Sequence, residues 1–190
     1  MARAGTATGF PQAIALAAAF DKDMMYRVGE VISTEARAMY NSAKKHGDTD
    51  IYKGLTLWAP NINIFRDPRW GRGHETYGED PYLTSRLGVS FVKGIQGEEK
   101  YIRAAACAKH FAVHSGPESL RHEFDAKATE KDMEETYLPA FKALVKEANV
   151  EGVMGAYNRV NGEPACASEK LMEKLREWGF DGYFVSEWWA

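Results

Sequence analysis

Four short apolar runs, set between stretches of helical patterning, constrain this 190-residue chain more than any other feature. They are GLTLWAP (54–60), RAAACAKH (103–110), GVMGAY (152–157) and GYFVSE (182–187). None alternates apolar with polar residues. A strand with one face in water alternates; a strand covered on both faces does not, and that burial is typical of parallel sheets. The runs are also too short for helices buried all round. The order reads α, β, α, β, α, β, α, β, which predicts an α/β protein, either doubly wound or a barrel.

The intervening segments carry helix signals. The first is predicted from about Pro11 to Lys45, with Pro11 in the first turn, Val28, Ile32 and Ala36 at helical spacing and Gly47 as the stop. The second starts in EDPY, with Asp80 as N-cap and Pro81 at the first helical position. It puts Leu83, Leu87 and Phe91 on one face and ends before Gly97. The third begins at Thr129 and carries a stripe of Met133, Tyr137, Phe141, Leu144 and Ala148; Pro139 inside it predicts a kink or break. The fourth runs from the N-cap Ser168 through Leu171, Leu175 and Trp178 to Gly179.

Composition narrows the class. Hydrophobic residues make up 45% of the chain, enough to build a core, and the interspersed charges sum to -3. That balance argues against nucleic acid or an anionic membrane surface as the main partner. No apolar segment is long enough to span a bilayer, and the opening MARAGTATGF lacks the apolar core of a signal peptide. Two cysteines make no disulfide framework. Cys107, in a small apolar run, reads as a buried thiol and Cys166 as a loop residue.

Each apolar run leads into polar or aromatic groups. The first opens into NINIFRDPRWGRGHETYGED, the second ends at Lys109-His110, the third at Tyr157-Asn158-Arg159 and the fourth at Ser186-Glu187-Trp188. In parallel α/β folds the carboxyl ends of the strands share one face, and ligands bind there. Other chemistries fit poorly. GRGHETYG lacks the lysine and hydroxyl residue of a phosphate loop, no G-x-S-x-G elbow occurs, and HFAVH lacks the glutamate of a zinc-protease helix. The mixture suits a neutral polyol: Arg72, Lys109 and His110 for hydroxyls, Trp188 as a platform for an apolar sugar face, and a carboxylate to attack the anomeric carbon. Most of these residues also have an ordinary structural role open to them; Arg72, for example, can simply pair with Glu75 or Glu79. Glu187 is different, because a carboxylate directly after an apolar strand is costly unless solvated or paired.

DPRWGRGHETYGEDPYL, AKHFAVHSGPESLRHEFDA, GVMGAYNRVNGEP and GFDGYFVSEWWA, in that order, resemble glycoside hydrolase family 3, in particular its β-glucosidase and β-xylosidase branch. The resemblance implies a TIM-type (β/α) barrel, here a single partial barrel domain over 1–190. It also implies a retaining exo-glycosidase acting on terminal β-D-glucosyl or β-D-xylosyl residues of oligosaccharides or aryl glycosides; no cofactor is expected, and the residues themselves argue against a metal site. Arg72, Lys109, His110, Arg121 and Tyr157 fall on the family's sugar contacts, Trp188 on a flanking aromatic and Glu187 on the nucleophile.

The chain departs from that pattern in three places. The family nucleophile is an aspartate in SDW, and this chain reads SEW. The extra methylene moves the carboxylate by roughly 1–1.5 Å, and catalysis is sensitive to about 1 Å, so hydrolysis is expected to be impaired. A natural variant and an engineered change fit equally. The family's strand and aspartate-bearing loop before ARAG are missing, as if Met1 stood where the family chain continues upstream. So is everything after the nucleophile strand, including the domain that supplies the acid/base in most members of the branch. Four strands, against eight in a closed barrel, leave unpaired edges. Self-association or pairing with a complementary fragment is therefore expected. A non-catalytic carbohydrate-binding or scaffold fragment of the same ancestry is the alternative reading.

Overall fold

The computed structural model describes residues 6–188; the opening at Met1 and the terminal Trp189 lie outside the described residues. Its frame is a four-stranded, all-parallel sheet. The strands are β1 (Thr56–Leu57), β2 (Ala105–Phe111), β4 (Gly152–Gly155) and β7 (Tyr183–Val185), side by side in that order. Thr56 pairs with Ala105, Cys107 with Gly152 and Gly152 with Tyr183, so the register is continuous across the sheet. The short β1 is effectively extended, because Cys107 N donates to Ala59 O and Ile62 N to Lys109 O, each at 2.9 Å. Among the described residues β1 and β7 are the sheet's edges, and the barrel is not closed. Every residue of β4 is buried, whereas β7 is half-buried throughout.

The helices follow their sequence signals closely, with one correction. The predicted first helix is two: α1 (Ala13–Ala17) and α2 (Lys22–Lys45). Phe20 between them has φ 53°, and Asp21 starts α2 afresh by accepting from Asp23 N and Met24 N at 2.9 Å. The third helix is broken at its proline, as predicted. Thr129 and Asp132 form a capping box on α4 (Glu130–Asp132), Met133–Tyr137 make a π turn, and Pro139 opens a new helix, α5 (Pro139–Ala148). Proline costs nothing at a first helical position, because the N–H it lacks has no partner there anyway. The other two helices, α3 (Pro81–Gln96) and α6 (Glu169–Glu177), start at Asp80 and Ser168 as expected.

A second small sheet went unread in the sequence: β3 (Asp125–Ala126), β5 (Arg159–Val160) and β6 (Glu163–Pro164). β5 and β6 form a hairpin on Asn161-Gly162, both with positive φ (52° and 95°), which is the Asn-Gly signature of a tight hairpin turn. The signal was present; the strands flanking it are simply too short to show a pattern.

Packing behind the large sheet is dominated by α2, α3 and α5. Leu87, Val92, Ile95, Phe111, Phe141 and Leu144 form its buried centre. Phe111 and Phe141 meet edge to face at 4.9 Å. Cys107 is fully buried, as read. The buried Gln96 ties three elements together: its amide donates to Ala148 O and Asn149 O, and its carbonyl accepts from Glu151 N.

α2 and α3 cross backbone to backbone. A Cβ at Gly94 would lie 2.1 Å from Tyr26 O, and one at Gly29 2.6 Å from Phe91 O. Alanine gains up to about 1 kcal/mol over glycine in a helix interior. The obstacle here is main chain that cannot rotate away, and such overpacking costs about 1–3 kcal/mol. Gly94→Ala is therefore expected to lower the urea unfolding midpoint with an unchanged m-value. A raised midpoint would show that the two helices separate freely.

Candidate functional site

The sheet topology brings most of the sequence-predicted residues to one place. Glu187 follows β7, Tyr157 follows β4 and Arg72 lies on the long segment after β1. Lys109 and His110 lie within β2 and not beyond it: the strand continues to Phe111, with an irregularity in register between Lys109 and Phe111. The apolar run broke at Lys109, but backbone pairing did not, because the flanking segment 59–62 continues the ladder.

His110 is the centre of the cluster and is fully buried. Its backbone N–H donates to Asn63 Oδ1 and its carbonyl accepts from Asn63 Nδ2, both at 2.8 Å. Its ring Nδ1 lies 3.1 Å from the same Asn63 Oδ1. On the other side of the ring, Arg72 Nη1 approaches Nε2 at 3.1 Å. Arg72 is held in turn by Glu75, to which Nε and Nη2 donate at 2.8 and 2.7 Å. The structural pairing of Arg72 with Glu75 and its place in the cluster are thus both real, since one guanidinium has donors for both.

Glu187 Oε2 lies 2.9 Å from His110 Nε2, with the Glu187 side chain 14% exposed. This is a matter of distance only: Oε2 has no hydrogen-bond partner among the described residues. Burial pushes the Glu187 carboxyl above the ordinary glutamate range, against the pull of Arg72, His114, Lys109 and Arg121. Burial, followed by His114, Arg72 and Lys109, pushes His110 well below the usual imidazole range, which favours the neutral ring. Lys109 is lowered by burial and by Arg72, while Glu75, Glu187 and Cys107 favour its charge.

Arg121 and Tyr157 stand further out. Arg121 is bound by Glu118, whose other oxygen accepts from Gly71 N at 3.0 Å; this ties the loop after β2 to the loop carrying Arg72. Tyr157 faces the ring of His114 at 6.1 Å and that of His122 at 4.5 Å. Trp188 is 47% exposed and meets Trp58 edge to face at 5.6 Å; the two rings line a cleft with Ile32, Ile51, Phe91 and Ile95.

Sequence reasoning missed Asn63, His114, Asn158 and Trp58. His114 is buried, its ring 4.8 Å from that of His110, and Asn158 Oδ1 sits 3.1 Å from its Nδ1. An asparagine in NINIF carries no signal of its own, because its partner is 47 residues away. The His110–His114 spacing was visible, but it was weighed only as a metal motif. Among the described residues no group of three or more metal-ligating side chains forms.

Two facts about Glu75 predict a pH signature. Burial raises its carboxyl, but the Arg72 hydrogen bonds outweigh that and hold it at about 2, below the ordinary value of 4.5. A depressed carboxyl stabilises the fold above its unfolded pKa and loses that stabilisation as pH falls through the folded value. Glu75→Gln is expected to cost about 1–3 kcal/mol at pH 7, because it strips a half-buried guanidinium of its partner. The gap between variant and parent should shrink between pH 4.5 and 2, measured by denaturant unfolding. A gap independent of pH would mean that the carboxylate charge plays no part.

Comparison with known proteins identifies the family. Residues 1–190 match the Glycosyl hydrolase family 3 N terminal domain. The chain is 49% identical to a xylan 1,4-beta-xylosidase of Xylanibacter ruminicola, across 98% of this chain and 22% of that protein. It is 44% identical to a beta-xylosidase/alpha-L-arabinofuranosidase of Medicago sativa subsp. varia, across 95% of this chain and 24% of that protein. It therefore spans about a quarter of the length of these relatives or less. Among solved structures, beta-glucosidase 3B from Thermotoga neapolitana, complexed with glycerol, superposes with a TM-score of 0.81 at 36% identity, covering 96% of this chain and 23% of its own. A family 3 exo-beta-xylosidase carrying a xylobiose aziridine probe gives 0.83 at 35%, covering 95% and 24%. With its whole length matched by the family's N-terminal domain, the chain belongs to glycoside hydrolase family 3.

Proposed function

We propose that residues 1–190 form part of a (β/α) barrel domain that binds a terminal β-D-xylosyl or β-D-glucosyl residue, with Glu187 as the nucleophile of a retaining glycosidase. The observation that carries this is the convergence of Arg72, Lys109, His110 and Glu187 around one point, with Trp58 and Trp188 exposed beside it. Charged donors suit hydroxyl groups, and an indole face suits the apolar side of a sugar ring. The names of the relatives favour a xylosyl over a glucosyl residue.

In this reading a Glu187 oxygen attacks the anomeric carbon. A C–O bond forms as the bond to the leaving group breaks, and water later displaces the carboxylate from the sugar. Arg72 and Lys109 offset the charge on Glu187 and hold hydroxyls; Arg121 and Tyr157 line the outer side. An aryl leaving group departs as a stabilised anion, so a test on aryl glycosides needs no acid from elsewhere in a longer chain. Glu187 is one methylene longer than the family's aspartate, and turnover is impaired accordingly. One observation favours the second reading, a non-catalytic sugar-binding piece: Glu187 Oε2 is folded against His110 and not free in the site.

Aryl β-xyloside and β-glucoside hydrolysis by the chain, Glu187→Asp and Glu187→Ala separates these readings. Slow turnover, a rise on the order of 10²-fold in Glu187→Asp and loss in Glu187→Ala support the nucleophile. Equal rates in the chain and Glu187→Ala overturn it. Saturable xylose binding with no hydrolysis by any variant supports the second reading. We further propose that the open edges at β1 and β7 make the chain self-associate or pair with a complementary barrel fragment. Light scattering checks this, and a monomer at all concentrations, with cooperative unfolding, counts against it.

A further inference from the structure

The hydrogen bonds around His110 determine which ring nitrogen carries the proton. Asn63 cannot flip: its Oδ1 receives the His110 N–H and its Nδ2 donates to the His110 carbonyl, so the side-chain amide pairs with the main chain as a strand would. The atom facing ring Nδ1 at 3.1 Å is therefore an acceptor, and Nδ1 must be the donor. The opposite nitrogen, Nε2, faces an N–H of Arg72 at 3.1 Å, and a guanidinium can only donate. Glu75 grips the other face of that guanidinium and keeps it aimed. The Asn63 and Arg72 contacts give the same answer independently, and Glu187 Oε2, 2.9 Å from the same Nε2, fits it as the neutral acid.

We propose that Asn63 is a positioning residue that locks His110 as the Nδ1–H tautomer, so that Nε2 offers a single lone pair, for which Arg72, a protonated Glu187 and a ligand hydroxyl compete. Two lone pairs facing each other repel, so with Nε2 unprotonated the 2.9 Å approach of Glu187 Oε2 requires the proton to sit on Glu187. In this orientation Glu187 bonds to His110 only as the neutral acid. As a carboxylate it turns away, toward the mouth of the site. A ligand hydroxyl that donates to Nε2 thus takes the place of the Glu187 proton and frees the carboxylate. This last step rests on the sugar-binding reading; the tautomer does not.

The charged and titratable groups around the ring are Arg72, Lys109, His114, Glu75 and Glu187. Three of these carry or can carry positive charge, and His110 itself is buried, which keeps the ring neutral and makes the tautomer a meaningful choice. The same device recurs one turn of chain away. Asn158 Nδ2 donates to Ala112 O and Arg159 O at 3.1 Å, which aims its Oδ1 at His114 Nδ1. His114 is held near 4, chiefly by burial, and its Nε2 has no partner among the described residues.

The test is long-range ¹H–¹⁵N NMR of the full chain labelled at its five histidines, at pH 7, with His110 assigned by His110→Gln. The expected spectrum for His110 shows a protonated-type Nδ1 and an unprotonated-type Nε2. In Asn63→Asp the carboxylate still accepts from the His110 N–H and from Nδ1 but adds a negative charge. His110 should then become an imidazolium, with both nitrogens of protonated type. An Nε2–H tautomer in the parent chain overturns the proposal, and so does an unchanged His110 spectrum in a folded Asn63→Asp. If Asn63→Asp does not fold, the parent spectrum alone decides. Neither readout depends on turnover: an Nδ1–H tautomer in a chain that binds no xylose keeps this proposal and sinks the sugar-binding reading, and an Nε2–H tautomer in an active chain does the reverse.

Discussion

The parallel pairing of β2 with β1 on one side and β4 on the other is the constraint on which the rest depends. Parallel ladders need crossovers, and the crossovers here are α3 and α5 with their flanking turns. Those helices cover the sheet, and α2 packs on α3 so closely that two glycines are required at the crossing. Because all four strands point the same way, each one's downstream end arrives at the same face. Arg72, Lys109, His110 and Glu187 therefore meet, with Tyr157 further out, although they are scattered over 116 positions of sequence.

The cluster that results is electrostatically mixed and mostly dry. Burying a charge is costly unless it is paired. Glu75 answers for Arg72, and Glu118 for Arg121. His110 avoids the cost by staying neutral, and Lys109 is eased in the same direction. Glu187 is the member left without a bonded partner, and a group in that state is the one able to react or to be claimed by a ligand.

Much of the fold was legible in the chain because its signals are local. Asp80 before Pro81 and Ser168 before Glu169 mark helix starts within one turn, and the structure begins α3 and α6 there. The four apolar runs announced the parallel strands for the same reason: burial on both faces removes alternation. The error in the first helix was also local in origin. The break at Phe20 between α1 and α2 depends on one residue adopting positive φ, with no glycine to advertise it. Pro139 did announce the break in the third helix; that the proline starts a new helix and does not merely kink one is set by the π turn before it.

By itself, then, the sequence determined the α/β class, the helix starts, the strand order along the chain and the set of polar residues closing each strand. It also carried the ordered motifs that resemble family 3. Only the tertiary structure decided how those polar groups engage one another. It put His110 inside β2 instead of past its end, gave Arg72 two partners at once, and brought Asn63 against an imidazole 47 residues away. Hydrogen bonds of that kind are short-ranged in space and unlimited in sequence separation. No periodicity or cap signal encodes them, and they exist only once the sheet has brought its strands into register.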